Sequence, residues 1–484
     1  MKIEQIYTGC LAQGAYYISS KGEAVIIDPL RETQPYLDRL TADGVQLKYI
    51  FETHFHADFV SGHLDLAKQT GATIVYGPMA QPDYDIYCAQ DGEILAVGDI
   101  EFKVLHTPGH TMESSTFLLR DEEGKDHAIF TGDTLFLGDV GRPDLAIKQG
   151  SVTKEDLAGY LFDSLREKII PLADEVIVYP GHGAGSACGK HLSKDTWGYL
   201  GDQKKTNYAL RADMTREVFV REVTAGLTPP PQYFGKNAMM NKGGYASFDQ
   251  VMEHGNRPLA PDHLETIVEQ EEALILDTRH QDEFIKGHIP NSIFIGIDGS
   301  FAPWVGALIV DIQQAIVIVA PQGREEEVVK RLSRVGYDNT LGYLKGGIAA
   351  WQAAGKEIDQ VKAITADQLA TAINTKQFSG KILDVRKPTE FLTQHIVGAH
   401  NFPLDYINNN MERLEQTKHY YLQCAGGYRS VIAASILKAR GFHQLTDVQK
   451  GWKAVEESSI PKTDYACPST LSQATIDAAV EAVV

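Results

Sequence analysis

The chain has 484 residues, 43% apolar and 23% charged, with a formal net charge of −19. That length predicts two to four domains, each with enough apolar side chains to bury its own core. The acidic balance, with no basic run, argues against nucleic-acid partners, and no apolar stretch reaches the roughly 18 residues of a membrane span.

The opening Met1–Ile6 lacks a charged-then-apolar targeting pattern. Five cysteines (Cys10, Cys88, Cys188, Cys424 and Cys467) are too scattered for a disulfide framework. A reducing, cytoplasmic setting is the expectation, with no membrane partner.

Residues 1 to 240 alternate strand-like and helix-like segments. Ala24–Asp28 and Tyr49–Thr53 read as buried strands, and His63–Thr70 as a helix stopped by Gly71. Ile100–Leu105, Ser115–Leu119, His127–Thr131 and Glu175–Tyr179 read as further strands. The Pro/Gly/Asn-rich stretch from Leu227 to Tyr245 reads as an ordered linker (228–250), because three consecutive prolines cannot continue a helix or a central strand.

The second half holds a repeat. Ile275–Arg279 recurs as Ile382–Arg386, Glu283-Phe284 as Glu390-Phe391 and His288-Ile289 as His395-Ile396. Gly336-Tyr337 recurs as Gly441-Phe442, and Lys345-Gly346 as Lys450-Gly451. Two domains follow, 251–358 and 359–466, each a mainly parallel sheet covered by helices. A tail, 467–484, closes the chain.

Four loops carry the first chemistry: Thr53-His54-Phe55-His56-Ala57-Asp58-Phe59, Thr107-Pro108-Gly109-His110-Thr111, Thr131-Gly132-Asp133-Thr134 and Tyr179-Pro180-Gly181-His182-Gly183. Each follows a predicted strand, so all four are expected to converge on one sheet edge as a metal site.

This pattern resembles the metallo-β-lactamase superfamily, and the run Thr131 to Asp144 resembles its persulfide dioxygenase branch. The resemblance implies an αββα sandwich and one Fe(II) per chain, held by His54, His110 and Asp133. His56, Asp58 and His182 match the motif but would orient ligands or hold water. Hydrolases such as glyoxalase II carry a histidine where this chain has Phe59, so a two-metal site lacks one ligand. The implied reaction takes a low-molecular-weight thiol persulfide, O2 and water to sulfite and thiol. Arg142 and Asp144 are expected near the thiol-carrier pocket, or else as an exposed ion pair. Tyr179 is read as a donor to the persulfide, or else a half-buried strand tyrosine. Cys188 would hold sulfur near the mouth, or pack as a small apolar group.

The second chemistry lies in Cys424-Ala425-Gly426-Gly427-Tyr428-Arg429-Ser430, between the strand His419–Gln423 and an amphipathic helix expected over Val431–Ala439. A cysteine at a helix N-terminus meets unpaired N–H groups and the positive dipole end, which favour the thiolate. Arg429 adds a fixed charge. The loop resembles that of rhodanese sulfurtransferases, which implies sulfur transfer through Cys424, forming or using thiosulfate. The first repeat has Val319 in place of Cys424, followed by Glu325–Glu327, and is expected to be a non-catalytic spacer or docking surface. The alternatives are a glyoxalase II-type thioester hydrolase with an accessory rhodanese unit, and a sulfur carrier or sensor without turnover. The thiol carrier and homo-oligomer formation stay open.

Overall fold

The computed structural model describes residues 1–145, 152–227 and 230–467, with Thr475 and Ala478 beyond them. Nearly all of the expected tail, 467–484, lies outside the described residues. The chain divides into two compact units, Met1–Gln250 with Leu332–Tyr337, and Val251–Arg331 with Asp338–Val484.

The first unit is a sandwich of two six-stranded sheets. Strand alternation builds it: Tyr16, Ile18, Val25 and Ile27 face the inter-sheet core, with Phe51, Phe102, Phe117 and Phe130. Their neighbours Ala15, Tyr17, Ala24 and Ile26 face outward onto the layer holding Tyr36, Leu40 and Leu66 of the helices Gln34–Asp43 and His63–Thr70. Strands buried on both faces therefore read as continuous apolar runs. The second sheet is covered by Lys154–Ser164 and Arg216–Thr224, through Leu161, Phe219 and Val223. The layers run helix, sheet, sheet, helix, as expected.

The proline-rich stretch is no plain linker. It carries the helix Phe234–Gly243, and its Asn241 holds the His54–Phe59 loop. Asn241 Nδ2 donates to the carbonyls of His56 (2.7 Å) and Phe59 (2.8 Å), and its Oδ1 accepts from Ser61 N at 2.9 Å. Prolines forbade a helix only at the prolines; the helix starts three residues past Pro231.

The second unit contains two five-stranded sheets with parallel pairing throughout and the same connectivity. The repeated residues are one device used twice. Arg279 and Arg386 close buried ion pairs with Asp277 and Asp384 at 2.6 Å and cap the carbonyls of Gly287 and Gln394 at 2.8 Å. His288 and His395 stack on Phe284 and Phe391, with ring centroids 3.9 and 3.7 Å apart. Tyr428–Ala439 departs from the expected amphipathic helix: every residue from Ser430 to Leu437 is buried. Its small polar residues, Ser430 and Ser435, are internal; Ser435 Oγ accepts from Phe294 N of the first repeat at 2.9 Å.

Candidate metal centre and sulfur-transfer loop

His54 follows the strand Gln46–Phe51 of the first sheet, whereas His110, Asp133 and His182 follow strands of the second. The motifs thus meet at the rim of the sandwich, from two sheets rather than along one sheet edge. Ligand atoms of His54, His110 and Asp133 lie within 4.8 Å of one another, all buried.

Each ligand is oriented from behind. His54 Nδ1 lies 2.9 Å from Thr53 Oγ1, which itself donates to Asp28 Oδ2 at 2.8 Å. His110 Nδ1 donates to the Arg142 carbonyl at 2.9 Å, so its Nε2 carries the lone pair, 3.5 Å from Asp133 Oδ2. Asp133 Oδ1 accepts from His182 Nδ1 at 2.8 Å, and His182 Nε2 reaches Asp58 Oδ2 at 2.7 Å. Asp133 Oδ2 has no hydrogen-bond partner among the described residues. A buried carboxylate oxygen left bare is costly, and a cation between it and two imidazole nitrogens removes the cost. Burial, then the neighbouring His56 charge, push His54 well below the usual imidazole range. Asp133 is held far below the carboxylate range: burial opposes this, but His182, His110 and His54 outweigh it. Neutral imidazoles and an ionised carboxylate are the protonation states a metal requires. Gly181 is needed for space, since a Cβ there would stand 2.6 Å from Asp133 Oδ1.

His56 turns away from the triad, 3.1 Å from Asp28 Oδ1 and 3.3 Å from Glu52 Oε2, and Phe59 stacks on it at 4.3 Å. Despite burial, the two carboxylates raise His56 well above the imidazole range. His182 bridges Asp133 and Asp58 through its two ring nitrogens. Cys188 is buried beside His182 and Asp58, its ligand atom within 4.8 Å of theirs, and burial and then Asp133 keep its thiol protonated. Arg142 and Asp144 form an ion pair at 2.6 Å, but a buried one rather than solvent-exposed, and Arg142 Nη1 also donates to Ala187 O at 3.2 Å. Tyr179 matches the half-buried strand tyrosine of the second alternative: its ring stacks on Phe130 (5.2 Å, 11°) against the inter-sheet core. It occupies an inward-facing strand position, where apolar packing sets its direction. A cavity of about 510 Å3 opens beside the triad, lined by Phe55, His110, Asp144, Phe234, Met239 and Lys242.

In the second unit the Cys424 thiol is buried and accepts from Gly427 N at 3.1 Å. Arg429 donates from both terminal guanidinium nitrogens to Glu390, at 2.7 and 2.8 Å. The Tyr428 hydroxyl donates to Gly296 O of the first repeat at 2.7 Å. In that repeat Val319 ends the matching strand and Arg324 is tied to Glu327 and Asp298. Asn241, Glu52, Glu390 and Thr53 were missed in the sequence; only Thr53, next to a motif histidine, carried any local signal.

Residues 8–182 match the model of the metallo-beta-lactamase superfamily, and residues 260–354 and 365–458 match that of the rhodanese-like domain. A probable hydroxyacylglutathione hydrolase of Schizosaccharomyces pombe is 31% identical over 185 residues, 37% of this chain and 67% of that protein. The chain belongs to the metallo-beta-lactamase superfamily. It carries two rhodanese-like domains after the superfamily domain. The human mitochondrial persulfide dioxygenase ETHE1 is 32% identical over 162 residues, 33% of this chain and 59% of that one. Among solved structures, a metallo-beta-lactamase from Staphylococcus aureus superposes with a TM-score of 0.62 at 30% identity, covering 71% of this chain and 98% of its own. Among the described residues no helix is long and apolar enough to cross a membrane.

Proposed function

We propose that this chain oxidises a low-molecular-weight thiol persulfide to sulfite at one Fe(II) held by His54, His110 and Asp133, and that Cys424 passes sulfane sulfur between sulfite and thiosulfate. The observation that supports this most is the ligand count. Two imidazoles and one carboxylate bring ligand atoms within 4.8 Å of one another, while His56 lies against Asp28 and Glu52 and position 59 is phenylalanine. Such a set suits non-haem iron and leaves coordination positions for reactants. When bound, the ion supplies the one-electron and O2 chemistry that organic side chains lack.

The chain's own residues bind and orient. Thr53 and the Arg142 carbonyl fix the two imidazole tautomers, and His182 fixes the rotamer of Asp133. The apolar cleft receives the thiol carrier. The overall reaction is RSSH + O2 + H2O → RSH + SO3²⁻ + 2 H⁺, in which the outer sulfur is oxidised and O2 reduced. At Cys424, the Gly427 N–H and the helix N-terminus hold an anionic sulfur.

Metal quantitation after anaerobic purification, followed by oxygen uptake against a panel of persulfides, tests the reading. About one iron per chain is expected, held by His54, His110 and Asp133, with uptake abolished in His110→Ala. Uptake that survives His110→Ala overturns it.

A second reading, thioester hydrolysis, is favoured by the neighbouring Asp58, His182 and Cys188 set and by the hydroxyacylglutathione hydrolase relatives. Two zinc ions per chain with thioester turnover support that reading instead.

A further inference from the structure

The loop around Cys424 carries a cation of its own, but that cation is already engaged. Both terminal nitrogens of Arg429 donate to Glu390, which offsets its charge where it stands. The groups beside Sγ are neutral: the Gly427 N–H at 3.1 Å and the Ser430 hydroxyl at 3.5 Å. A substrate that arrives as an anion meets no free side-chain charge within the loop itself.

A cavity of about 270 Å3 opens at this loop, and its wall includes Gly426 and Gly427. Gly427 therefore both lines the cavity and holds the sulfur. The charged part of the wall comes from both repeats: Asp447 and Lys450 from the second, Asp282 and Lys286 from the first. The two repeats lie in one compact unit, and the Cys424 loop and its helix are tied to the first repeat. The Tyr428 hydroxyl donates to Gly296 O at 2.7 Å, and Phe294 N donates to Ser435 Oγ at 2.9 Å. The residues that the first repeat contributes are thus a fixed part of the wall.

These charges are not equivalent. Lys286 and Lys450 are exposed, and neither ammonium is in an ion pair among the described residues. Asp282 lies 3.6 Å from His280 Nδ1. Asp447 is 2% exposed, and burial pushes it up to about 7, so part of its charge is lost at neutral pH. The balance of the wall is positive, which favours an anion. Lys286 is also particular to its copy. Matching Glu283-Phe284 with Glu390-Phe391 sets Lys286 against Thr393, whereas Lys450 has a counterpart in Lys345. The repeat that lacks the cysteine has a charge where the repeat that carries it has none.

We infer that Lys286, together with Lys450, holds the oxyanion end of the sulfur-carrying substrate of Cys424, so that the first repeat supplies a specificity-determining residue to the site of the second. This rests on the sulfur-transfer reading of Cys424. The oxyanion is either the sulfite end of thiosulfate or the carboxylate of an organic persulfide. With thiosulfate, the Cys424 thiolate attacks the outer sulfur and a new S–S bond forms. The old S–S bond breaks, and its electron pair leaves on sulfite; two negative charges arrive and two depart. Ammoniums that hold the oxyanion equally before and during this step act on binding rather than on turnover.

The test uses the full-length, metal-loaded chain and two alkylating agents of similar shape, iodoacetate and iodoacetamide, which differ in charge. Alkylation of the Cys424 peptide is followed by mass spectrometry. Lys286→Met is expected to lower the iodoacetate-to-iodoacetamide rate ratio about fivefold at low ionic strength, and Lys286→Glu further. In sulfur transfer to cyanide, KM for thiosulfate should rise about fivefold in Lys286→Met, with kcat nearly constant. Glutathione persulfide and its diethyl ester, run as alternative donors, separate the two oxyanion sources. A KM rise for thiosulfate alone assigns the sulfite end, and a rise for the acid but not the ester assigns the carboxylate. Rate ratios and KM values in both Lys286 variants that match the wild type overturn the inference, as does a shift confined to Lys450→Met. A wild-type chain that transfers no sulfur, with the alkylation ratio still responding to Lys286, removes the sulfurtransferase reading and leaves the anion site standing.

Discussion

At the level of single residues, the metal centre depends on side chains that would not touch the ion. Thr53 holds His54 and is itself held by Asp28. Thr53→Val keeps the shape and removes the hydroxyl; metal affinity is expected to fall about 10–100-fold in a competition titration, without loss of fold. The candidate ligands carried a local signal in the sequence: His110 and Asp133 each follow a glycine, and His54 opens a His-x-His-x-Asp run, all in loops after strands. Their supports carried none: Asn241 and Glu390 act on residues far away in the chain, and no local pattern distinguishes them from surface amides and acids. Tyr179 was open to two readings. Its place next to the Pro-Gly-His motif suggested chemistry, and strand alternation leaves it half-buried, stacked on Phe130.

Secondary-structure elements were read well where one physical signal dominated. The helix His63–Thr70 was bounded by its glycine stop, and the buried strands by their β-branched runs. Tyr428–Ala439 was misread because burial on all sides erases amphipathic periodicity, leaving small residues as the only trace. The paired Phe–His stacks have a consequence for acid stability. Burial lowers His288 to about 4, against the Phe284 carbonyl and Asp359, which raise it. The unfolded imidazole binds its proton near pH 6.5 and the folded one only near 4. Stability therefore falls as pH drops through that window and levels off below it. Between pH 7 and 4 the wild type should lose about 3 kcal/mol more than His288→Gln, read from urea unfolding midpoints at each pH.

For the molecule as a whole, the division into a sandwich unit and a tandem-repeat unit was visible in the motif order and the repeated ILD-x-R stretch. The sequence did not show that the proline-rich stretch belongs to the first unit, because its anchoring bonds run back to residues 56–61. Metal binding should stabilise one unit and not the other. At a free ion concentration a hundred times Kd the gain is about 2.7 kcal/mol. A calorimetric scan of the chelated chain is expected to show one transition moved down and the other unchanged, with re-addition of iron restoring it.

Gly299 of the first repeat is shaped by a side chain of the second: a Cβ there would stand 2.3 Å from the Tyr428 ring. The copy with Val319 thus serves as the jig in which the Cys424 loop is set. Gly299→Ala, a one-methyl change in a domain without a reactive group, should impair sulfur transfer at Cys424 while leaving oxygen uptake intact, as paired assays on one preparation would reveal. The ring of Tyr428 thus sets a limit on what position 299 of the other repeat can carry.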